Sequence, residues 1–236
     1  MPIKIPDSLP ATAVLESENI FVMDEKRALS QDIRPLQLVI LNLMPMKEET
    51  ELQILRALSN TPLQVDCTFL MLSTYVSKNT SASHINKFYV HFEDIRKHKY
   101  DGMIITGAPV EHMEFEDVDY WEELKAIMNW STTHVHSTLH ICWAAQAGLY
   151  FHYGIPKYSR EKKLNGVYSH KVLHHKVPLV RGLDDYVMCP HSRYTEVRSE
   201  DIRKHEELNI LAESEEAGVL LVVNEDGSRI FIQGHP

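Results

Sequence analysis

The sequence predicts an α/β fold: a doubly wound, mostly parallel sheet with antiparallel additions in its C-terminal half. Three observations carry that expectation. Short, nearly continuous apolar runs recur, as strands buried on both faces require. Amphipathic stretches with helical spacing separate them. After Gly154 the alternation gives way to short strand-like segments joined by polar turns. With 236 residues, of which 44% are hydrophobic and 24% charged, the chain has the means to build one large core. Residues 1–236 are therefore read as a single domain. Residues 1–34 are read as an irregular lead-in, where Pro6 and Pro10 break helix and Asp24 to Arg27 is charged.

Each element follows in order. Leu36 to Leu43, LQLVILNL, is the first buried strand. Met44, Pro45 and Met46 turn the chain. Glu48 to Ser59 carries Leu52, Leu55 and Leu58 at three-residue spacing, with acids first and Arg56 late, as the helix dipole favours. Leu63 to Leu72 is the second strand. Ser73 to Lys87 reads as loop with some helical turn, and Phe92 to His98 as a short helix. Asp101 to Gly107 is the third strand, closed by Gly107, Ala108 and Pro109. Asp117 to Trp130 is a helix with Trp121, Leu124, Ile127 and Met128 on one stripe. Val135 to Tyr150 gives the fourth strand, a sharp turn and a helix. Beyond Gly154, strands are expected over Val167 to Leu173, Asp185 to Met188, Leu208 to Ala212, Val219 to Val223 and Arg229 to Gln233. Ser199 to His205 reads as helical. Asn224-Glu225-Asp226-Gly227 suits a hairpin turn between the last two strands.

Charge and cysteine usage narrow the function classes. A net charge of −9 argues against a nucleic-acid surface and against anionic membranes. No apolar run approaches the roughly eighteen residues of a spanning helix, and the N-terminus carries no signal-peptide core. A cytoplasmic protein is expected. Cys67, Cys142 and Cys189 are widely spaced and odd in number, which suggests no disulfide framework. The clusters His134/His136 and His170/His174/His175 lack cysteine partners, so no metal is expected, and they read as solvated or hydrogen-bonded histidines.

The chemistry points to VHSTLHICWAAQAGLY, residues 135–150. Cys142 falls on the turn between an apolar strand and a run of small helix formers, an arrangement like the nucleophile elbow. A thiol at a helix N-terminus meets free N–H groups and the positive end of the dipole, which favour thiolate. A buried filler cysteine is the plain alternative. A cysteine nucleophile needs a base. His235, just past the last strand and beside Gly234, is one candidate; His140 and His191 are others. Oxyanion donors are expected from the turn at Gly107 and from the N–H of Trp143, the residue after the nucleophile. No dinucleotide or P-loop motif occurs.

LNLMPMKEETELQILRALSNTPLQV (41–65), ITGAPVE (105–111), HICWAAQAGLYFHYGIPK (140–157) and IQGHP (232–236) together resemble the homoserine O-acyltransferases of methionine biosynthesis. That family is related in fold to class I glutamine amidotransferases, so the resemblance implies a flavodoxin-like sheet. It implies that Cys142 takes an acyl group from acyl-CoA, that His235 is general base, and that L-homoserine receives the acyl group. It also implies substrate contacts at Lys163 and Ser192, and bears more loosely on Arg193 and Lys47. Glu111 matches the position that sets the acyl group, where glutamate implies acetyl-CoA and a small residue succinyl-CoA. The expected product is O-acetyl-L-homoserine, with no bound cofactor and a homodimer as the expected assembly. Homoserine O-succinyl transfer and amidotransferase-like hydrolysis are the alternatives, with a redox-sensing or non-catalytic flavodoxin-like protein behind them. Family members continue past the matching His-Pro with a glutamate that orients the histidine, so a longer natural chain is expected.

Overall fold

A computed structural model describes residues 3–6, 8–23, 34–75 and 79–235. The expected charged run Asp24 to Arg27 and the terminal Pro236 lie outside them. The first half contributes strands β1 (Ile3–Lys4), β2 (Val22–Met23), β3 (Leu36–Leu41), β4 (Val65–Met71), β5 (Tyr89–His91), β6 (Tyr100–Ile105) and β7 (Val135–Ile141). Between them lie helices α1 (Ala11–Ser17), α2 (Lys47–Ser59), α3 (Ala82–Phe88), α4 (Phe92–Ile95) and α5 (Trp121–His134). The second half adds α6 (Trp143–Tyr153), β8 (Tyr158–Val172), β9 (Tyr186–Glu196), α7 (Ser199–Ile202), β10 (Leu208–Ser214), β11 (Gly218–Asn224) and β12 (Arg229–Ile232).

The central strands run β4-β3-β6-β7-β12 and pair in parallel. Numbered among themselves they follow the order 2-1-3-4-5, the flavodoxin-like arrangement. Beyond β12 the sheet continues β11-β10-β8-β9 in antiparallel sense. The expected sheet, parallel in its first half with antiparallel additions in its second, is the one observed.

Sequence alternation explains the layers. Val39 and Leu41 of β3 face a core shared with Trp121, Leu124, Ile127 and Met128 of α5. Ile40 faces the other way, onto Leu55 of α2 and Leu15 of α1. A strand whose successive side chains enter two cores is apolar on both faces, which is why LQLVIL, interrupted only by Gln37, reads as nearly continuous. Burying a leucine or isoleucine side chain on either face contributes about 1.5–3 kcal/mol.

Two expectations are corrected. The lead-in is not wholly irregular: α1 forms there, and β1 pairs with both β2 and β4. The strands expected over Val167 to Leu173 and Asp185 to Met188 are the paired ends of a long hairpin, β8 with β9. Its ladder breaks between Ser159, paired with Thr195, and Leu164, paired with Arg193. Residues 160–163 thus bulge out opposite Tyr194. Charged residues dominate that stretch (Arg160, Glu161, Lys162, Lys163), so apolar patterning could not mark it as strand.

Candidate active site

Cys142 sits where β7 passes into α6, with φ 55° and ψ −115°. A non-glycine residue at positive φ with such a ψ is strained, and the surrounding contacts hold it there. Its N–H donates to Ile232 O of β12 at 2.7 Å, and its C=O accepts from Ala145 N–H at 3.0 Å. The turn is thereby tied to the neighbouring strand and to the first turn of the helix. Gly107, two residues past β6, lies beside it. A Cβ on Gly107 would stand 3.3 Å from Cys142 Cβ and 3.7 Å from Trp143 N. A side chain there would press on Cys142 and lie in contact with the N–H that follows it.

The electrostatics of the thiol differ from the expectation at a helix N-terminus. Burial pushes the Cys142 thiol up to about 11. The Trp143 N–H and the Arg193 guanidinium oppose that rise, while Glu111 adds to it. Desolvation of the charged form outweighs the helix end. The resting sulfur is a neutral thiol, and nucleophilic chemistry at it would require a base.

The three candidate histidines are sorted by their surroundings. His140 is fully buried on β7, stacked on Phe231 with its Nδ1 3.2 Å from Ile230 O; burial lowers it to about 4. His191 is buried as well, and its Nε2 lies 3.1 Å from His170 Nε2. His170, expected to be solvated or hydrogen-bonded, is a buried partner in that pair. His235 is exposed, three residues beyond Ile232, where β12 leaves the sheet next to Cys142. Its N–H donates to Pro190 O at 2.9 Å; partial desolvation by the surrounding protein lowers its pKa although the residue keeps a solvent-facing side, while Glu111 pulls the other way. Glu111 thus acts on both the thiol and this imidazole.

Glu111 lies in the loop after β6, half-buried. Its carboxylate Oε2 accepts the Tyr194 N–H at 2.8 Å, with Thr195 Oγ1 at 3.5 Å. Its carbonyl accepts from Lys157 Nζ at 2.7 Å. The bulge in β8 leaves Tyr194 without a ladder partner on that strand, and bulges commonly re-aim groups beside active sites. Lys163, in the bulge, places Nζ 5.4 Å from the Tyr194 ring centre. Ser192 is exposed on β9, two residues from Tyr194 and so on the same face.

Arg193 and Lys47 are not the free surface cations that sequence alone allows. Arg193 is 1% exposed, and its guanidinium donates to His191 Nδ1, Thr195 O and Ala217 O. With those donors engaged, its contribution to the site is a buried positive charge acting on the Cys142 sulfur. Lys47 is 4% exposed and donates to Asn42 O. Burial brings its amine down to about 8, against the pull of Glu51.

Thr195, Gln146 and Gln233, all buried, escaped sequence reasoning. Gln146 alone had a signal: a polar residue within the run of small apolar residues that forms the elbow helix.

A cysteine elbow on a 2-1-3-4-5 sheet, with Gly107 and a histidine at the same carboxyl edge, has the glutamine amidotransferase-like fold. Solved structures agree in fold. A glutamine amidotransferase from Thermotoga maritima superposes with a TM-score of 0.60 at 12% identity, covering 86% of this chain and 76% of that one. The glutaminase domain of Trypanosoma brucei CTPS, with bound acivicin, gives 0.56 at 13% identity over 85% and 86%. Sequence is more specific. The family model for homoserine O-succinyltransferase matches residues 2–236, and the chain belongs to that family. It is 63% identical to a homoserine O-acetyltransferase of Lachnoclostridium phytofermentans, over all of this chain and 78% of the relative. A homoserine O-acetyltransferase of Lachnospira eligens is 62% identical over all of this chain and 76% of the relative. One from Methanomethylophilus alvi is 60% identical with the same coverage. Among the described residues no helix is long and apolar enough to cross a membrane.

Proposed function

We propose that this chain transfers an acetyl group from acetyl-CoA to the hydroxyl of L-homoserine, giving O-acetyl-L-homoserine for methionine biosynthesis. The observation that carries the reading is the strained Cys142 elbow with the Trp143 N–H and Gly107 at its rim. The names of the relatives, homoserine O-acetyltransferase, support the same activity.

The mechanism follows from the protonation states. Cys142 is a thiol at neutral pH, so His235, whose pKa is lowered by desolvation, accepts its proton as the sulfur attacks the thioester carbonyl. The N–H groups of Trp143 and Gly107 face the oxygen that becomes negative. The tetrahedral species collapses, the carbon–sulfur bond to CoA breaks, and the departing thiolate takes the proton from His235. The product of this half is acetyl-Cys142. The homoserine hydroxyl then gives its proton to His235 and attacks the acetyl carbon. The Cys142 sulfur leaves and is reprotonated. Lys163 and Ser192, on the outer face of the hairpin, contact substrate.

The acyl group is chosen at Glu111. A carboxylate there repels the distal carboxylate of a succinyl group and occupies its space, which favours acetyl over succinyl donors. This accounts for an acetyl-transferring chain within a family whose model carries the succinyl name. The enzyme needs no bound cofactor, works in the cytoplasm with its cysteines reduced, and assembles as a homodimer.

The test is mass spectrometry of the intact protein after mixing with acetyl-CoA. An acetyl adduct on Cys142 that homoserine discharges supports the transferase. A folded protein that forms no adduct, or one that releases ammonia from glutamine with no dependence on CoA, refutes it.

A further inference from the structure

A loop carboxylate selects between acyl groups only if its position is fixed. Glu111 is held at its main chain by Lys157 and at Oε2 by the Tyr194 N–H. Behind that oxygen runs a line of buried polar groups: Thr195 Oγ1 at 3.5 Å from Oε2, Gln146 Oε1 at 2.8 Å from Thr195 Oγ1, and Gln233 Oε1 at 3.4 Å from Gln146 Nε2. Thr195, Gln146 and Gln233 are each 2% exposed or less. They span β9, the elbow helix and the residue after β12, two positions before His235.

The direction of the hydrogen bonds in this line is decisive. With Gln146 Oε1 facing Thr195, the single threonine proton goes to Gln146, and a lone pair faces the Glu111 carboxylate. Gln233 Nε2 is then a buried donor with no partner, an arrangement that is destabilising because the desolvated N–H is not offset by a bond. A half-turn of each amide exchanges its oxygen and nitrogen within the same frame. Gln233 Nε2 then donates to Gln146, Gln146 Nε2 donates to Thr195 Oγ1, and the Thr195 hydroxyl is free to donate to Glu111. The unmet donor disappears. What remains in its place is an amide oxygen, and buried carbonyl oxygens tolerate a missing partner better than N–H groups do.

We propose that Gln233, Gln146 and Thr195 form a one-way donor chain ending on the Glu111 carboxylate, and that they are positioning residues for acyl-donor choice. The proposal rests on the reading of Glu111 as the acyl-selecting residue. It adds that selectivity is set from β9 and the elbow helix, and that the acyl pocket is linked through Gln233 to the strand end bearing His235.

The test compares kcat/KM for acetyl-CoA and succinyl-CoA. Thr195→Val keeps the shape and removes the hydroxyl; it is expected to lower the acetyl-to-succinyl ratio about tenfold. Thr195→Ser is expected to restore it, which a purely structural role would not require. In a Glu111→Gly background, Thr195→Val should change the ratio no further. Gln146→Met reads the chain one link along, with a smaller shift in the same direction, and serves if Thr195→Val does not fold. If Glu111→Gly shifts the ratio and neither Thr195→Val nor Gln146→Met does, the donor chain is refuted and Glu111 keeps its role. If Glu111→Gly itself leaves the ratio unchanged, both fall.

Discussion

The N–H of Tyr194 donates to the carboxylate of Glu111 at 2.8 Å, across 83 positions of sequence. The bond joins the loop after β6 to the edge strand β9, and it exists because residues 160–163 of β8 bulge away from Tyr194. Glu111 is thereby a fixed charge in the site rather than a mobile loop acid.

That fixed charge has a measurable price for the larger donor. Glu111→Gly is expected to raise the succinyl-to-acetyl ratio of kcat/KM about 100-fold, since two carboxylates about 6 Å apart at an effective dielectric near 20 repel by roughly 2–3 kcal/mol. Steady-state kinetics with both donors measure it. An unchanged ratio contradicts the role of Glu111.

Cys142 is expected to be a slow nucleophile toward iodoacetamide at pH 7. With the thiol pushed up to about 11 by burial, the thiolate fraction and the alkylation rate should keep rising through the alkaline range. Cys142→Ala should abolish both that labelling and transferase activity, the latter by at least about a thousandfold, as for loss of a nucleophile. A rate that levels off below pH 8 contradicts a neutral resting thiol.

Stability should fall as the solution is acidified from pH 7 to 5. Buried His140 titrates near 4 and His152 near 3 in the fold, against about 6.5 for an unfolded histidine. Between those values the unfolded chain binds protons that the folded chain does not. Each histidine therefore removes up to about 1.4 kcal/mol of stability per pH unit lost, and its full contribution is present above about 6.5. Urea midpoints across this range give the slope, and a flat profile contradicts neutral burial of these rings.

Gly234→Ala should displace His235. A Cβ there would collide with Cys189 Sγ and stand 3.0 Å from Pro190 O, and Pro190 O also receives the His235 N–H. Loss of about 1–3 kcal/mol of stability is expected from such overpacking, with kcat reduced more than KM. Cys189→Ala in the same chain removes the sulfur and should recover part of both. A single variant with wild-type kcat would mean the strand end adapts freely.

How much of this was legible depended on whether a property was local. The continuous apolar run of β3 announced a doubly buried strand, and the cysteine before Ala144, Ala145 and Ala147 announced the elbow. Both are patterns within a few residues. Lys47 was not legible as a buried amine, because its burial depends on Asn42 and on Tyr89, whose ring it overlies at 5.5 Å. The β8–β9 hairpin was half missed because its strands stay charged where they bulge. Thr195 carries no motif and Gln146 only its polarity within an apolar run, and their importance comes from neighbours tens of residues distant.

The placement of β12 bears on how the molecule is made. It lies beside β7 at the centre of the sheet, although His140 and the Ile230 carbonyl that it meets are 90 residues apart. On the ribosome, β7 must wait for that segment with its hydrogen-bonding edge unpaired, and the cysteine turn, whose N–H needs Ile232, waits with it. The Cys142 turn is therefore completed only after residue 232 has left the ribosome. The nascent chain passes through a stage in which the middle of its sheet is an open, sticky edge, and chaperone dependence would be greatest in that interval.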